Sequence, residues 1–312
     1  MVNRRHIRIK VMQSVYALLQ SKSDDLDKEE RFLYNSIDKM NDLFVLVLQI
    51  FIEVRNMERI HIQISKKKHL ATPEELNPSS KFIDNSIIKL LDSSNSLFDY
   101  IDSKKLNYWK LDDEYIKEIW RKTKESTIYK HYINDKTQSF QNDKEFIAAL
   151  FKEVIAPNEK LAEYFEDKNI SWVDDIPFIN TWVLKIINQI KPNQPFILGK
   201  LYKDDDDKNF VKELFRKVVL NHTEFEKDVI DKTPNWDSDR IADIDMILIK
   251  MAICEFLKFP SIPSRVTINE YIEISKDYST DKSSFFINGV LDKILKDFTT
   301  SKRLNKIGRG LL

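Results

Sequence analysis

Apolar residues along most of this chain recur every three to four positions, the period of helices that bury one face. Between Asn3 and Gln20, Ile7, Val11, Val15 and Leu18 fall on one stripe, and Ile9, Met12, Tyr16 and Leu19 widen it until the second half is nearly surrounded. The polar stretch Ser21–Lys28 precedes a long helix predicted from about Lys28 into the Arg55–Lys68 region. Pro73 and Pro78 mark a loop. The pattern then predicts helices near Lys81–Ser103, Asp112–Lys124, Asp143–Ile155, Asn158–Asp167 and Trp172–Ile190. Pro192, Pro195 and the acidic run Asp204–Asp207 form the clearest boundary, beyond which helices are expected near Asp206–Lys232, Ser238–Lys258, Thr267–Asp277 and Asp281–Phe298.

Composition narrows the fold class. Hydrophobic residues make up 42% and charged residues 32%, enough for a core and a hydrated surface, which excludes a largely disordered chain. There are only four glycines, Gly199, Gly289, Gly308 and Gly310. Phosphate-cradling loops, Rossmann turns and tight hairpins draw on glycine, so its scarcity argues against a nucleotide-binding α/β enzyme and for an all-α fold. A methyltransferase domain lacks its glycine-rich cofactor loop for the same reason.

The 50 basic and 50 acidic residues cancel, so any polyanion site must be a local patch. The single Cys254 excludes an internal disulfide and multi-cysteine metal sites, and its place between Ile253 and Phe256 reads as a packed thiol. The five histidines have no partner at ligand spacing, so neither a metal nor a cofactor is expected. Asp204–Asp207 reads as a helix N-cap rather than a cation site. No segment resembles a signal peptide, and the run Leu43–Ile52 is too short to span a bilayer, so the expected setting is cytoplasmic. Trp109, Trp120, Trp172 and Trp182 read as core, with a partner surface as the alternative.

Two features do not fit a plain helical core. Arg4, Arg5, Arg8 and Lys10, with His6 among them, crowd the first turns of a helix, and no acid occurs before Asp24. Cations there oppose the helix dipole at about 0.3–1 kcal/mol each, whereas a phosphate backbone would reward them. A basic end that merely aids solubility is the alternative. The second feature is Ser283–Asp292, reading Ser-Ser-Phe-Phe-Ile-Asn-Gly-Val-Leu-Asp. Gly289 lies mid-helix, at a cost of roughly 1 kcal/mol, which suggests close approach of a backbone or ligand. Phe285 and Phe286 point in different directions, so one can be core while the other stacks on an unpaired base; both rings packed is the alternative.

These segments resemble the NusB family of transcription antitermination factors. Asp239-Arg240-Ile241, Asp245, Ile247-Leu248, Ala252 and Glu255, then Pro263, Val266, Ile268-Asn269-Glu270, Glu273, Lys276 and Phe286–Asp292, follow the order and spacing of the family's helix, Pro-containing loop, "INE" helix and "FVNGVLD" helix. Arg4-Arg5, Arg8, Gln13 and Tyr16-Ala17 are similar to its arginine-rich first helix. His6 stands where that helix often has another Arg, and Lys282 where an acid is common.

The resemblance implies an all-α, NusB-like pair of helical bundles carrying a large helical insertion. The chain then divides into the arginine-rich helix of the N-terminal bundle (1–23), the rest of that region with the insertion (24–208), the C-terminal bundle (209–300) and, from its lack of acids, a flexible basic tail (301–312). It implies a non-enzymatic factor of ribosomal RNA operons that binds boxA-type single-stranded RNA together with the small-subunit ribosomal protein NusE, in antitermination complexes on RNA polymerase. By position, Arg4, Arg5, Arg8 and Phe286 would contact RNA, with Asn288 beside them and Lys10 added from charge alone. Tyr16 and Asp245 would meet the ribosomal protein. A helical interaction scaffold with little RNA binding is the alternative.

Overall fold

Asn3 starts the first helix by accepting a hydrogen bond from the His6 amide at 3.0 Å, and Lys22 ends it in left-handed backbone with φ of 51°. This helix, α1 (Arg4–Ser21), opens a computed structural model that describes residues 2–232 and 241–311. No strand occurs among the described residues, in agreement with the all-α expectation. No helix among them is long and apolar enough to cross a membrane.

The chain forms two compact units, Met1–Ile37 with Lys200–Leu312, and Asp38–Gly199. The expected boundaries at 23/24 and 208/209 therefore shift, for a physical reason. Helix α2 (Leu26–Ser65) is continuous, and its start belongs with the first unit: Arg216 pairs with Glu30 and reaches Asp27 at 2.5 Å.

In the second unit α2 is the axis. Every residue from Asn41 to Phe51 is buried, because this stretch is apolar almost all round and is enclosed on all sides. The unit also contains α3 (Pro73–Leu76), α4 (Ser86–Asp92), α5 (Asn95–Lys104), α6 (Tyr108–Leu111), α7 (Asp113–Glu125), α8 (Thr127–Asn134), α9 (Phe140–Leu150), α10 (Glu159–Lys168) and α11 (Ile176–Gln189). The helix expected over Lys81–Ser103 is two, because Ser94 adopts extended backbone and caps α5 through the Leu97 amide. Trp109 and Trp172 donate their indole N–H groups to the Leu46 and Lys39 carbonyls at 3.0 and 2.8 Å, and Trp182 stacks on Phe44 at 4.1 Å. Trp120 donates to Glu58 at 2.8 Å, which also accepts from Lys124 and Tyr129. Trp109, Trp172 and Trp182 are thus core, as expected, whereas Trp120 is half-buried.

The first unit is completed by α12 (Asp205–Leu220), α13 (His222–Lys232), α14 (Asp243–Lys258), α15 (Ser264–Tyr278) and α16 (Ser283–Thr300). Asp204 caps α12 by accepting from the Asp207 amide at 3.0 Å, as expected of the acidic run. Asn221 divides the single helix predicted over Asp206–Lys232. The predicted start of α14 at Ser238, with Asp239 and Arg240, lies outside the described residues. Helix α14 is central, packing against α1, α12, α13, α15 and α16, and residues 247–256 are buried throughout. Cys254 is fully buried there, and burial pushes its thiol far above the ordinary range.

The tail expected to be flexible is docked through residue 311. Arg303 forks onto Asp228 at 2.6 and 3.0 Å. Lys306 donates to the carbonyls of Glu255, Phe259 and Ile262 at 3.0, 3.1 and 2.7 Å, capping the C-terminus of α14. Burial pushes the Lys306 amine down to about 8. The absence of acids in the tail is explained by the acceptors it finds elsewhere.

Candidate nucleic-acid interface

The arginine-rich turn of α1 faces carboxylates from three other helices. Arg4 Nε donates to Asp207 of α12 at 2.8 Å. Arg5 forks onto Glu270 of α15 with both distances 2.9 Å. Arg8 forks onto Glu255 of α14 at 2.6 and 2.9 Å, and Glu270 lies 3.7 Å from its second amine. Glu255 also accepts from Thr267 Oγ1 at 3.0 Å and Tyr271 Oη at 2.8 Å. The Phe210 ring lies under two guanidinium groups, with the Arg4 and Arg8 centres 5.0 and 5.3 Å from its centroid.

The electrostatics follow from this enclosure. Burial disfavours the Arg8 charge, yet the Glu255 carboxylate raises its affinity for the proton further still. Burial would raise Glu270, but the Arg5 hydrogen bonds and the Arg8 charge hold it below the usual glutamate range. Burial, with the neighbouring Arg5 charge, depresses His6 to about 4, so its ring is neutral at pH 7.

Two expected RNA contacts need correction on this geometry. Arg8 is 2% exposed and committed to Glu255, and Lys10 is likewise buried, so neither presents its charge to solvent. Arg4 and Arg5 remain about two-fifths exposed at their side chains. The unfavourable crowding of cations at the start of α1 has an intramolecular answer, which their spacing along the chain could not show.

Helix α16 presents the second feature. Phe285 is 81% exposed, Asn288 and Gly289 are exposed, and Phe286 is half-buried above the fully buried Ile287. A Cβ at Gly289 would meet nothing within 4 Å, so no neighbouring segment of this chain requires the glycine. The exposed ring is therefore Phe285, the neighbour of the residue singled out.

The two residues expected at the protein partner differ from one another. Tyr16 is 37% exposed on α1. Asp245 is buried, accepting from Ser279 Oγ at 2.6 Å and Ser283 Oγ at 2.7 Å. Its charge sits at the N-terminus of α16, where the helix dipole favours an anion, and it fixes the turn that carries Phe285 and Phe286. Spacing missed Asp245's partners, Phe210 and the tail lysine, since all act across long sequence separations. Among the described residues no group of three His, Cys, Asp or Glu side chains could hold a metal ion.

These features define an all-helical protein whose first unit offers a partly neutralised basic helix end and an exposed aromatic turn. The NusB family model matches residues 181–296. Over 112 residues the chain is 43% identical to the transcription antitermination protein NusB of Salinibacter ruber, covering 36% of this chain and 70% of that protein. It is 40% identical over 105 residues to the protein of that name from Chloroherpeton thalassium, covering 34% of this chain and 50% of that one. For the Finegoldia magna protein of that name the identity is 41% over 88 residues, covering 27% and 64%. No solved structure matches. The chain belongs to the NusB family. Residues 38–180 of the second unit lie outside the matched segment.

Proposed function

We propose that this protein is a transcription antitermination factor of ribosomal RNA operons, acting in the cytoplasm by assembly and not by catalysis. It binds boxA-type single-stranded RNA together with ribosomal protein NusE within an RNA polymerase antitermination complex. The observation that carries the reading is the start of α16, where Phe285 lies open beside Phe286, Asn288 and an exposed glycine. An exposed ring is a stacking platform for an unpaired base, and Asn288 supplies donors and acceptors for base edges. The relatives are transcription antitermination proteins NusB, which supports the same class.

Arg4 and Arg5 supply the phosphate contacts in this reading. Each exchanges a carboxylate, Asp207 or Glu270, for an RNA phosphate, which favours a modest electrostatic share of the affinity. Arg8 positions α1 by locking it to α14, and Lys10 is buried within the fold. Tyr16 meets NusE, while Asp245 holds the α16 turn in place. The scaffold alternative draws on the pairing of both exposed arginines with acids of the same chain.

The test is binding of a boxA-like strand and a scrambled strand, with and without NusE, at several salt concentrations. If Arg4 and Arg5 each neutralise one phosphate, log K falls with log[salt] at a slope of about −1.4. Replacing both by Gln flattens the slope. Phe285→Ala with Phe286→Ala weakens binding by about 5- to 150-fold, the stacking range for one base. Equal affinity for the two strands under every condition refutes the RNA reading and leaves the scaffold.

A further inference from the structure

The second unit holds a groove that the RNA reading does not use. Ala162 of α10, Val173, Ile176 and Pro177 line a cleft of about 400 Å³. Glu159, Glu163 and Glu166 also line it, and their spacing places three carboxylates in a stripe along one face of α10. All three are exposed, and none is ion-paired among the described residues. Glu118 and Glu125 of α7, by contrast, are matched by Arg121.

A recess of about 20 Å³ continues the cleft inward, sharing Ala162 and Ile176 with it. Asn158 lines the recess and is 4% exposed. Its Oδ1 caps α10 by accepting from the Leu161 amide at 3.0 Å, whereas its Nδ2 has no acceptor among the described residues. A buried amide donor left without an acceptor is costly, and such groups are rare in folded proteins. The chain reaches Asn158 through a turn of π-helix at Phe151–Ile155, an irregularity frequent at functional sites.

From these three observations we infer that the groove beside α10 docks a basic segment of a partner protein. An apolar side chain of that segment enters the cleft between Ala162 and Val173. Its Lys or Arg residues lie along Glu159, Glu163 and Glu166, and docking opens the recess so that a backbone carbonyl of the segment accepts from Asn158 Nδ2. The carboxylate stripe repels phosphate, so this groove does not serve nucleic acid. The inference is independent of α16, because every residue it uses lies within Asp38–Gly199.

The test uses the full chain and a labelled twelve-residue amphipathic peptide of Lys and Leu, with a Glu-for-Lys counterpart, followed by fluorescence anisotropy. The Lys peptide binds, the Glu peptide does not, and E159Q/E163Q/E166Q weakens binding about tenfold or more, the combined effect of three exposed ion pairs. A162W fills the cleft with all charges retained. It also weakens binding, which separates docking from mere attraction to an acidic surface. Circular dichroism confirms that both variants stay folded. No binding by the wild type overturns the inference, as does binding unchanged in A162W. Displacement of the peptide by single-stranded RNA, or self-association in sedimentation that A162W abolishes, assigns the groove to another occupant and also overturns it.

Discussion

Removing the Arg8 guanidinium tests how the first unit is held together. In Arg8→Met the apolar stem of the side chain is kept, but the buried Glu255 carboxylate loses both charge-assisted hydrogen bonds, at 2.6 and 2.9 Å. Thr267 and Tyr271 still donate to it, so the carboxylate is hydrogen-bonded but has lost its counter-charge. Breaking a buried pair from one side costs about 3–5 kcal/mol. For a domain of this size that lowers Tm by about 6–20 °C. Adding Glu255→Gln removes the stranded charge and keeps an acceptor for the hydroxyls, so R8M/E255Q should recover about 2 kcal/mol relative to R8M alone. Urea unfolding read by amide hydrogen exchange in α14 is the suitable assay, because four of the five tryptophans, Trp109, Trp120, Trp172 and Trp182, report on the other unit. A loss below about 1 kcal/mol for R8M, or additive losses in the double variant, would refute the buried-pair argument.

Two further perturbations read other parts of the first unit. A Cβ at Gly310 would lie 1.9 Å from the Pro260 carbonyl oxygen, so Gly310→Ala should undock the end of the tail, expose Ser301–Arg309 to limited proteolysis and cost about 1–3 kcal/mol. His6 is depressed to about 4 in the fold, so its contribution is fully present above the unfolded value near pH 6.5 and is lost as pH falls from there towards 4. His6→Gln should flatten the stability profile in that window by no more than about 2 kcal/mol, measured by urea midpoints across pH.

The helices of the first unit were legible because they obey local rules. α1 runs within a residue of its expected bounds, since Asn3 caps it and the apolar stripe through Ile7, Val11, Val15 and Leu18 faces the core. The breaks at Ser94 and Asn221 were less visible, because short polar residues serve equally in a helix surface and in a cap. The separation of Phe285 from Phe286 was half-read: adjacency guaranteed that one ring would face out, but which one depends on how α16 rolls against α14 and α15. Asp245 looked like a solvated helical acid, and its two serine donors come from the α15–α16 turn.

The sequence alone determined the fold class, because scarce glycine and helical periodicity are local properties that every packing of this chain must respect. It also carried the family, since the motif from Ile241 to Asp292 is a linear pattern. Only the tertiary structure decided which charges are available. Arg4, Arg5 and Arg8 are close in sequence and look alike there, yet their acids lie more than 200 residues away. Two of these arginines remain partly open and one is sealed beneath α14 and α15. Charge is written in the chain, but its desolvation and pairing depend on neighbours that only folding brings within hydrogen-bonding distance.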